Sequence, residues 1–534
     1  MYFIDLFLLW CLINSTFFFM FKKIASNTIA QIISKILTAL ISIFLLSILT
    51  KYLTIEWFWL YSKIFNYLGI FAFLADLGLY TIMIREISGI DTKNNSRDVW
   101  QKYLEKIVWN VLTLRVWLGI FIIFLALIIA YFLPWYNSNL ELLSIFIIWI
   151  FTLISLINST FLAYMQSQLK MEFSLISVVA GKILNLGLVL LIVFVLIPVG
   201  YAGLHTLQNP DFSIIFIFIS ALIWITLNTI LNFWYSNKRI KIRFKLDIDY
   251  IKYIFKISLP YWIALFLSVI YFKVDIILLS ILEWEKANIS IALYSLPMKI
   301  IEVLMVMSAF YLNSILPKMS EYFDELKDLR PVLNSENSEK ETGLKSLLVT
   351  SFKILFSFWI IVFTLWSVFK NNVLEIIGNA DYLTSSNHIY SSSDAFLIVL
   401  AVLLFNAVSL LFIYIFIAVK KQSILLKINI FITIFNIIWN LILIPKYSFV
   451  WAGIITLISQ ILLFLISYYY SRKIIVFSFP KVFILKVICI SIIIFLIVNY
   501  LLQNYSLGLY LDILIYGFSF TWIYSYLVFR ELKK

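Results

Sequence analysis

The sequence predicts an all-α integral membrane protein of about fourteen transmembrane helices, and three observations carry that prediction. The chain of 534 residues is 63% hydrophobic and only 13% charged, far outside the balance of a soluble domain. Apolar runs of roughly 20 residues, the length a bilayer core requires, recur along its whole length. The basic residues between those runs fall on alternate loops rather than on one face, which excludes nucleic acid as the partner despite a net charge of +13.

Windows of that length place spans near 26–49, 58–83, 107–133, 141–165, 174–197, 212–236, 254–281, 289–316, 347–369, 394–418, 424–444, 449–470, 481–501 and 507–528. One set of loops carries Lys22 and Lys23, Arg85 through Lys102, Lys170, Lys238 through Lys245, Lys318 through Lys345, Lys420 and Lys421, Arg472 and Lys473, and Arg530 through Lys534. The alternate set carries little more than Lys51, Lys286, Lys370 and Lys446. By the positive-inside rule both ends of the core are cytoplasmic, and the expected location of this multi-pass protein is the inner (plasma) membrane. Residues 1–21 fit less easily: they are apolar but interrupted by Asp5 and Asn14, and they lack a basic leader. Met20, just before Lys22 and Lys23, makes an over-extended start the preferred reading over a fifteenth span or an interfacial helix.

An internal repeat divides the core. Leu196-Ile197-Pro198 followed by Ala202-Gly203-Leu204-His205-Thr206 recurs as Leu443-Ile444-Pro445 followed by Ala452-Gly453-Ile454-Ile455-Thr456. Leu60-Tyr61-Ser62 echoes Leu293-Tyr294-Ser295 in the same way. The implied organisation is an N-lobe over 22–246 with spans 1–6, a C-lobe over 247–473 with spans 7–12, and 474–534 holding spans 13–14 and a tail. Six spans is an even number, so the lobes are parallel repeats related by a pseudo-twofold along the membrane normal.

Charges inside the spans are the candidate functional residues. Lys35, Arg115, Lys182, Lys273 and Lys299 each lie in a spanning segment. A cation near the bilayer centre costs at least about 2.5–3.5 kcal/mol on insertion scales, so such residues face a wet cavity or a partner. Together they suggest a polar route that favours an anion. Asn27, Gln31, Ser34, Lys35, Thr38 and Ser42 form one polar stripe on span 1, which reads as cavity lining or as helix packing. Span 5 repeats the pattern with Ser174, Ser177, Gly181, Lys182 and Asn185. Arg115 lies a third of the way into span 3, where it either faces a cavity or snorkels to the interface.

The carboxylates leave alternatives open. Asp76 reads as a cation-coupling group or as a counter-ion for Lys35. Lys273 and Asp275, two residues apart, point to nearly opposite faces, so Lys273 needs a partner elsewhere. On span 8, Ser295, Lys299 and Glu302 share a stripe on which the last two can pair, and Pro297 is expected to kink the helix. Asp275 and Glu302 join Asp76 as candidates for ion coupling. His205 and His388 read as exposed loop residues, and Cys11 and Cys489 indicate neither a disulfide framework nor a metal site. No phosphate loop, zinc-binding helix or large extramembrane loop argues for an ATPase, a metalloenzyme or a glycan polymerase, so no cofactor is expected beyond a coupling Na+ or H+.

The ordered set of motifs resembles the polysaccharide-exporter branch of the MOP (multidrug/oligosaccharidyl-lipid/polysaccharide) superfamily. The residues are Ala75-Asp76-Leu77-Gly78-Leu79 with Arg85-Glu86, Ser258-Leu259-Pro260, Lys273-x-Asp275, Tyr294 through Lys299 to Glu302, Leu316-Pro317, and Asn440 through Pro445 to Gly453. The resemblance implies a two-lobed, V-shaped, Wzx-type flippase that is not an enzyme. Its cargo would be an undecaprenyl-diphosphate-linked O-antigen or capsule-type repeat unit, with membrane lipids and glycan polymerase machinery as partners. The family's cationic cavity would correspond to Lys35, Arg115, Lys182 and Lys299. A multidrug or metabolite antiporter and a lipid II flippase are the alternatives on the same fold; an antiporter for cationic drugs would line its cavity with unpaired carboxylates.

Overall fold

The computed structural model describes residues 2–88, 97–133, 136, 138–168, 170–196, 210–238, 246–283, 286–329, 339–383, 390–419, 421–475 and 478–532. The side chains of residues 2–33, of Lys35 and of scattered positions such as Arg85, Pro260 and Ser268 lie outside the described set, as do His205 and His388.

Among the described residues every element is helical. The long helices are α1 (Tyr2–Asp76), α2 (Leu79–Ser88), α3 (Arg97–Phe132), α4 (Asn139–Ser167), α5 (Met171–Leu191), α6 (Pro210–Asn237) and α7 (Ile248–Leu282). They continue as α8 (Ala287–Leu329), α9 (Glu339–Val368), α10 (Lys370–Ile377), α11 (Ser392–Ala418), α12 (Gln422–Arg472) and α13 (Lys481–Asn504). The chain ends with α14 (Leu509–Asp512), a π-helical turn, and α15 (Phe518–Leu532). Eleven described segments are long and apolar enough to cross a membrane. They correspond to the expected spans 2–6, 8–10, 13 and 14, and to spans 11 and 12 as a single run. A shorter apolar stretch, Leu37–Leu53, stands for span 1, and α7 for span 7. The all-α membrane class is as expected.

Three boundaries differ from the expectation, each for a local reason. Spans 1 and 2 are joined by helical backbone throughout α1, because residues 50–57 contain no glycine, proline or asparagine to interrupt it. Span 2 ends early at Asp76: Leu77 and Gly78 both take positive φ (51° and 64°), and α2 starts afresh at Leu79. A leucine in that region is strained, and Leu77 is held there by burial among Ile82, Met83 and Leu104. The loop expected between spans 11 and 12 contracts to one non-helical residue, Ser448 (φ 64°, ψ −162°), three residues after Pro445.

Pro297 does not stop α8. Proline removes the hydrogen bond to the carbonyl four residues back, that of Leu293. Ser392 Oγ, at the start of α11, donates to that carbonyl at 2.7 Å, so the freed acceptor is satisfied. Two helix starts follow capping chemistry: Ser138 with Glu141 and Ser391 with Asp394 form capping boxes for α4 and α11.

The chain divides into two compact units. Unit 1 comprises residues 1–45 and 67–262, and unit 2 comprises 46–66 and 263–534. Unit 1 has an apolar cluster of Leu79, Met83, Val111, Tyr164 and Ile254, and a buried polar seam between α4, α5 and α6. In that seam Asn232 Nδ2 donates to Asn158 (2.8 Å) and Asn228 (3.1 Å), while Ser177 donates to Asn232 (2.5 Å). Such bonds join helices where lipid supplies no hydrophobic drive. Unit 2 packs α9, α13 and α15 through Leu365, Phe369, Val487, Ile494 and Tyr524.

Candidate functional site: intramembrane charges of the two units

In unit 1, Arg115 is completely buried on α3 and does not snorkel. Its guanidinium donates to Asp76 Oδ1 at 2.8 Å and to Thr160 Oγ1 at 2.8 Å. Asp76 is thus the counter-ion of Arg115. Beside this pair Tyr80 donates to Gln166.

Lys182 is different. Its ammonium donates to Ser42 at 3.2 Å and lies 4.5 Å from the centroid of the Trp224 ring on α6. Among the described residues no acidic side chain is within ion-pair distance of it. Gly181 explains the approach: a Cβ there would meet Trp224 Cδ1 at 2.5 Å, so only glycine lets the indole lie against α5. The rest of the span 5 stripe is interhelical packing, with Ser177 on Asn232 and Asn185 accepting from Ser220 at 3.1 Å. The span 1 stripe ends at Ser42 and so meets Lys182. The side chain of Lys35, the stripe's own cation, lies outside the described residues.

In unit 2 the expected Lys299–Glu302 pair is not formed. Glu302 Oε1 instead faces Lys273 Nζ at 3.4 Å, and Lys273 also donates to Asn66 at 3.2 Å. Helical side chains lean toward the N-terminus, so a lysine placed before its glutamate reaches away from it. Lys299 lies instead over the rings of Tyr61 (4.7 Å) and Phe65 (5.8 Å).

Asp275, on α7, is fully buried and has no cation beside it among the described residues. Its oxygens accept from Tyr294 (2.9 Å), Thr456 (2.6 Å) and Asn440 Nδ2 (2.9 Å). Asn440 also donates to Asn436 (3.0 Å), while its own Oδ1 is buried without a hydrogen-bond partner. Tyr294 and Thr456 were visible in the sequence as parts of repeats, and Tyr294 and Asn440 as parts of the motifs that carry the family resemblance. Trp224 and Thr160 carried no signal; Gly181 was the only hint that a ring approached α5.

Outside the spans, Asp247 caps α7 by accepting from the amide of Tyr250 at 2.9 Å, and it pairs with Lys106 at 2.6 Å. The hydrogen bond from Lys106 holds its carboxyl below the usual carboxylate range.

The fold has close counterparts among solved structures. The lipid II flippase MurJ in an inward closed conformation superposes with a TM-score of 0.64 at 15% identity, over 96% of this chain and 100% of that one. An inward-facing MATE multidrug resistance transporter of the MOP superfamily gives 0.59 at 15%, over 84% and 98%. A MOP superfamily transporter from Pyrococcus furiosus gives 0.56 at 13%, over 85% and 95%. At these identities the likeness is one of fold. No curated protein matches the chain significantly in sequence. The family described as "Polysaccharide biosynthesis protein" matches residues 24–323, more than half of the chain, and the protein belongs to that family, on the fold of the MOP superfamily transporters.

Proposed function

We propose that the protein is a flippase, moving an undecaprenyl-diphosphate-linked oligosaccharide of O-antigen or capsule type from the cytoplasmic to the outer leaflet by alternating access. The observation that carries this reading is the state of Lys182 and Lys299. Each is an intramembrane ammonium held by an aromatic face rather than by a carboxylate. A cation–π contact is worth roughly 0.5–2 kcal/mol, less than a charge-assisted bond to phosphate, so either lysine can exchange its ring for a diphosphate oxygen. Family membership and the fold shared with a lipid II flippase support the same cargo class. Arg115 takes a structural role in this reading because Asp76 already neutralises it.

Coupling is assigned to Asp275. Its carboxylate, Thr456 Oγ1 and the unpartnered Asn440 Oδ1 supply buried oxygens, the donor type suited to Na+, and protonation would satisfy the same group.

The test is complementation of a glycan-export null strain with single-copy alleles. Lys182→Ala and Lys35→Ala are expected to abolish surface glycan while the protein still inserts in the membrane. Wild-type export by both would remove the cavity assignment. The rival, a cation-drug antiporter, is favoured by Asp275; drug efflux lost in Asp275→Asn with glycan export intact would select it.

A further inference from the structure

Unit 2 contains a trench that the flippase reading does not use. It has a volume of about 610 Å³ and lies between α9, the start of α10, the start of α11, and α13. α9 and α13 run side by side in the same direction. Lys353 sits over the Phe483 ring (5.2 Å) near one end, and Asn372 donates to the Leu509 carbonyl (3.5 Å) beyond the other.

The walls change character along this axis. Ile360 and Ile488 stand at one end, Phe363, Ile492 and Phe495 follow, and Lys370, Asn371 and Asn499 form the far mouth. The hydroxyls in the apolar part are already satisfied. Thr364 donates to the Ile360 carbonyl, Ser367 to Thr364 and Ser491 to Val487, at 2.7–2.8 Å. The trench floor therefore presents hydrocarbon. Asn371 Oδ1 is engaged by Ser393 at 2.7 Å, which fixes the asparagine at the mouth. Among the described residues no acidic side chain pairs with Lys370.

The distance from Ile488 to Asn499 is eleven residues of helix, about 16 Å, or roughly half of a bilayer's hydrocarbon thickness. A furrow one leaflet deep, apolar below and cationic at its rim, has the dimensions and polarity of one phospholipid. We propose that this trench holds an anionic phospholipid, its phosphate on Lys370 with Asn371 and Asn499, and an acyl chain along Phe363, Ile492 and Phe495. On the loop-charge topology, that lipid belongs to the outer leaflet.

Native mass spectrometry of the full-length detergent-purified protein tests the proposal, with phosphatidylglycerol and phosphatidylcholine of identical acyl chains as probes. Wild type is expected to retain phosphatidylglycerol over phosphatidylcholine by about fivefold, the scale of one partly exposed ion pair. Lys370→Glu should erase that preference and Lys370→Gln should reduce it. Ile492→Trp, which fills the wall, should lower retention of both lipids equally. Lys370 is half-buried and Ile492 is 53% exposed, so neither change enters the core; a wild-type elution profile on size exclusion verifies folding. The same preference in Lys370→Glu as in wild type would overturn the proposal. So would stronger retention of a polyprenyl phosphate than of phosphatidylglycerol at equal concentration, which would give the trench to a prenyl tail.

Discussion

Unit 1 buries a cation together with its counter-ion, whereas unit 2 buries a carboxyl group beside which the described residues place neutral donors only. Arg115 has Asp76 and Thr160; Asp275 has Tyr294, Thr456 and Asn440. Desolvating an ion costs several kcal/mol, and an opposite charge in good geometry offsets most of that cost. Three hydrogen bonds offset less, because they leave the net charge in place. The first arrangement is complete as it stands. The second gains from any cation that arrives. Under the proposed function, this contrast assigns the first charge to building the fold and the second to the transport cycle.

The largest expected effect breaks the contrast on the unit 1 side. Arg115→Ala strands Asp76, whose side chain is 24% exposed, and should cost about 3 kcal/mol, the low end for a broken buried pair. Arg115→Leu combined with Asp76→Leu should recover most of the loss in thermal unfolding. Equal instability of the single and double variants would mean that the pair does not compensate itself.

Next comes the indole that holds Lys182. Gly181→Ala must displace Trp224 and should cost about 1–3 kcal/mol, although alanine is the better helix former. Gly187→Ala, where nothing lies within 4 Å of the added carbon, should be neutral or stabilising. If both variants unfold alike, the ring is not pinned by the glycine.

Asp275→Asn sharpens the contrast from the other side. It keeps the shape and most hydrogen bonds, so stability should stay within about 1 kcal/mol of wild type. Stabilisation by added Na+, or by acidification, should disappear with it. An identical Na+ response in Asp275→Asn and wild type would detach ion coupling from this carboxylate.

The smallest effect is at the partly exposed clasp between Lys106 and Asp247, the latter lying just before α7. Its carboxyl is depressed in the folded state, so its contribution is present above the ordinary carboxylate range. That contribution should fade as pH falls through the depressed value. The protection factor of the Tyr250 amide, taken against its intrinsic exchange rate at each pH, should fall over that window and should not change with pH in Asp247→Asn.

The fold was legible because bilayer length and loop charge are properties of single segments. Each span announces itself without reference to any other. The breaks were less legible: the Leu77–Gly78 turn and the Ser448 kink sit inside apolar sequence and depend on what packs around them. The candidate site was legible in its charges and not in their partners. Lys299 and Glu302 share a helix stripe, yet Glu302 goes to Lys273 on another helix. Local spacing fixes which residues can meet, and tertiary packing chooses among them. Thr456 stood out as a repeat residue and Asn440 as a motif residue, since nothing in a lone asparagine or threonine signals a buried aspartate across the bundle.

The Arg115–Asp76 pair also bears on how the chain enters the membrane in the first place. Its members are 39 residues apart, on α3 and at the end of α1, with α2 between them. Alone, α3 carries Arg115 deep in an apolar segment, a charge that resists partitioning into lipid. Beside α1 that charge is met by Asp76 at the end of the preceding span. α3 is therefore expected to leave the insertion machinery at lower cost with α1 alongside it than by itself.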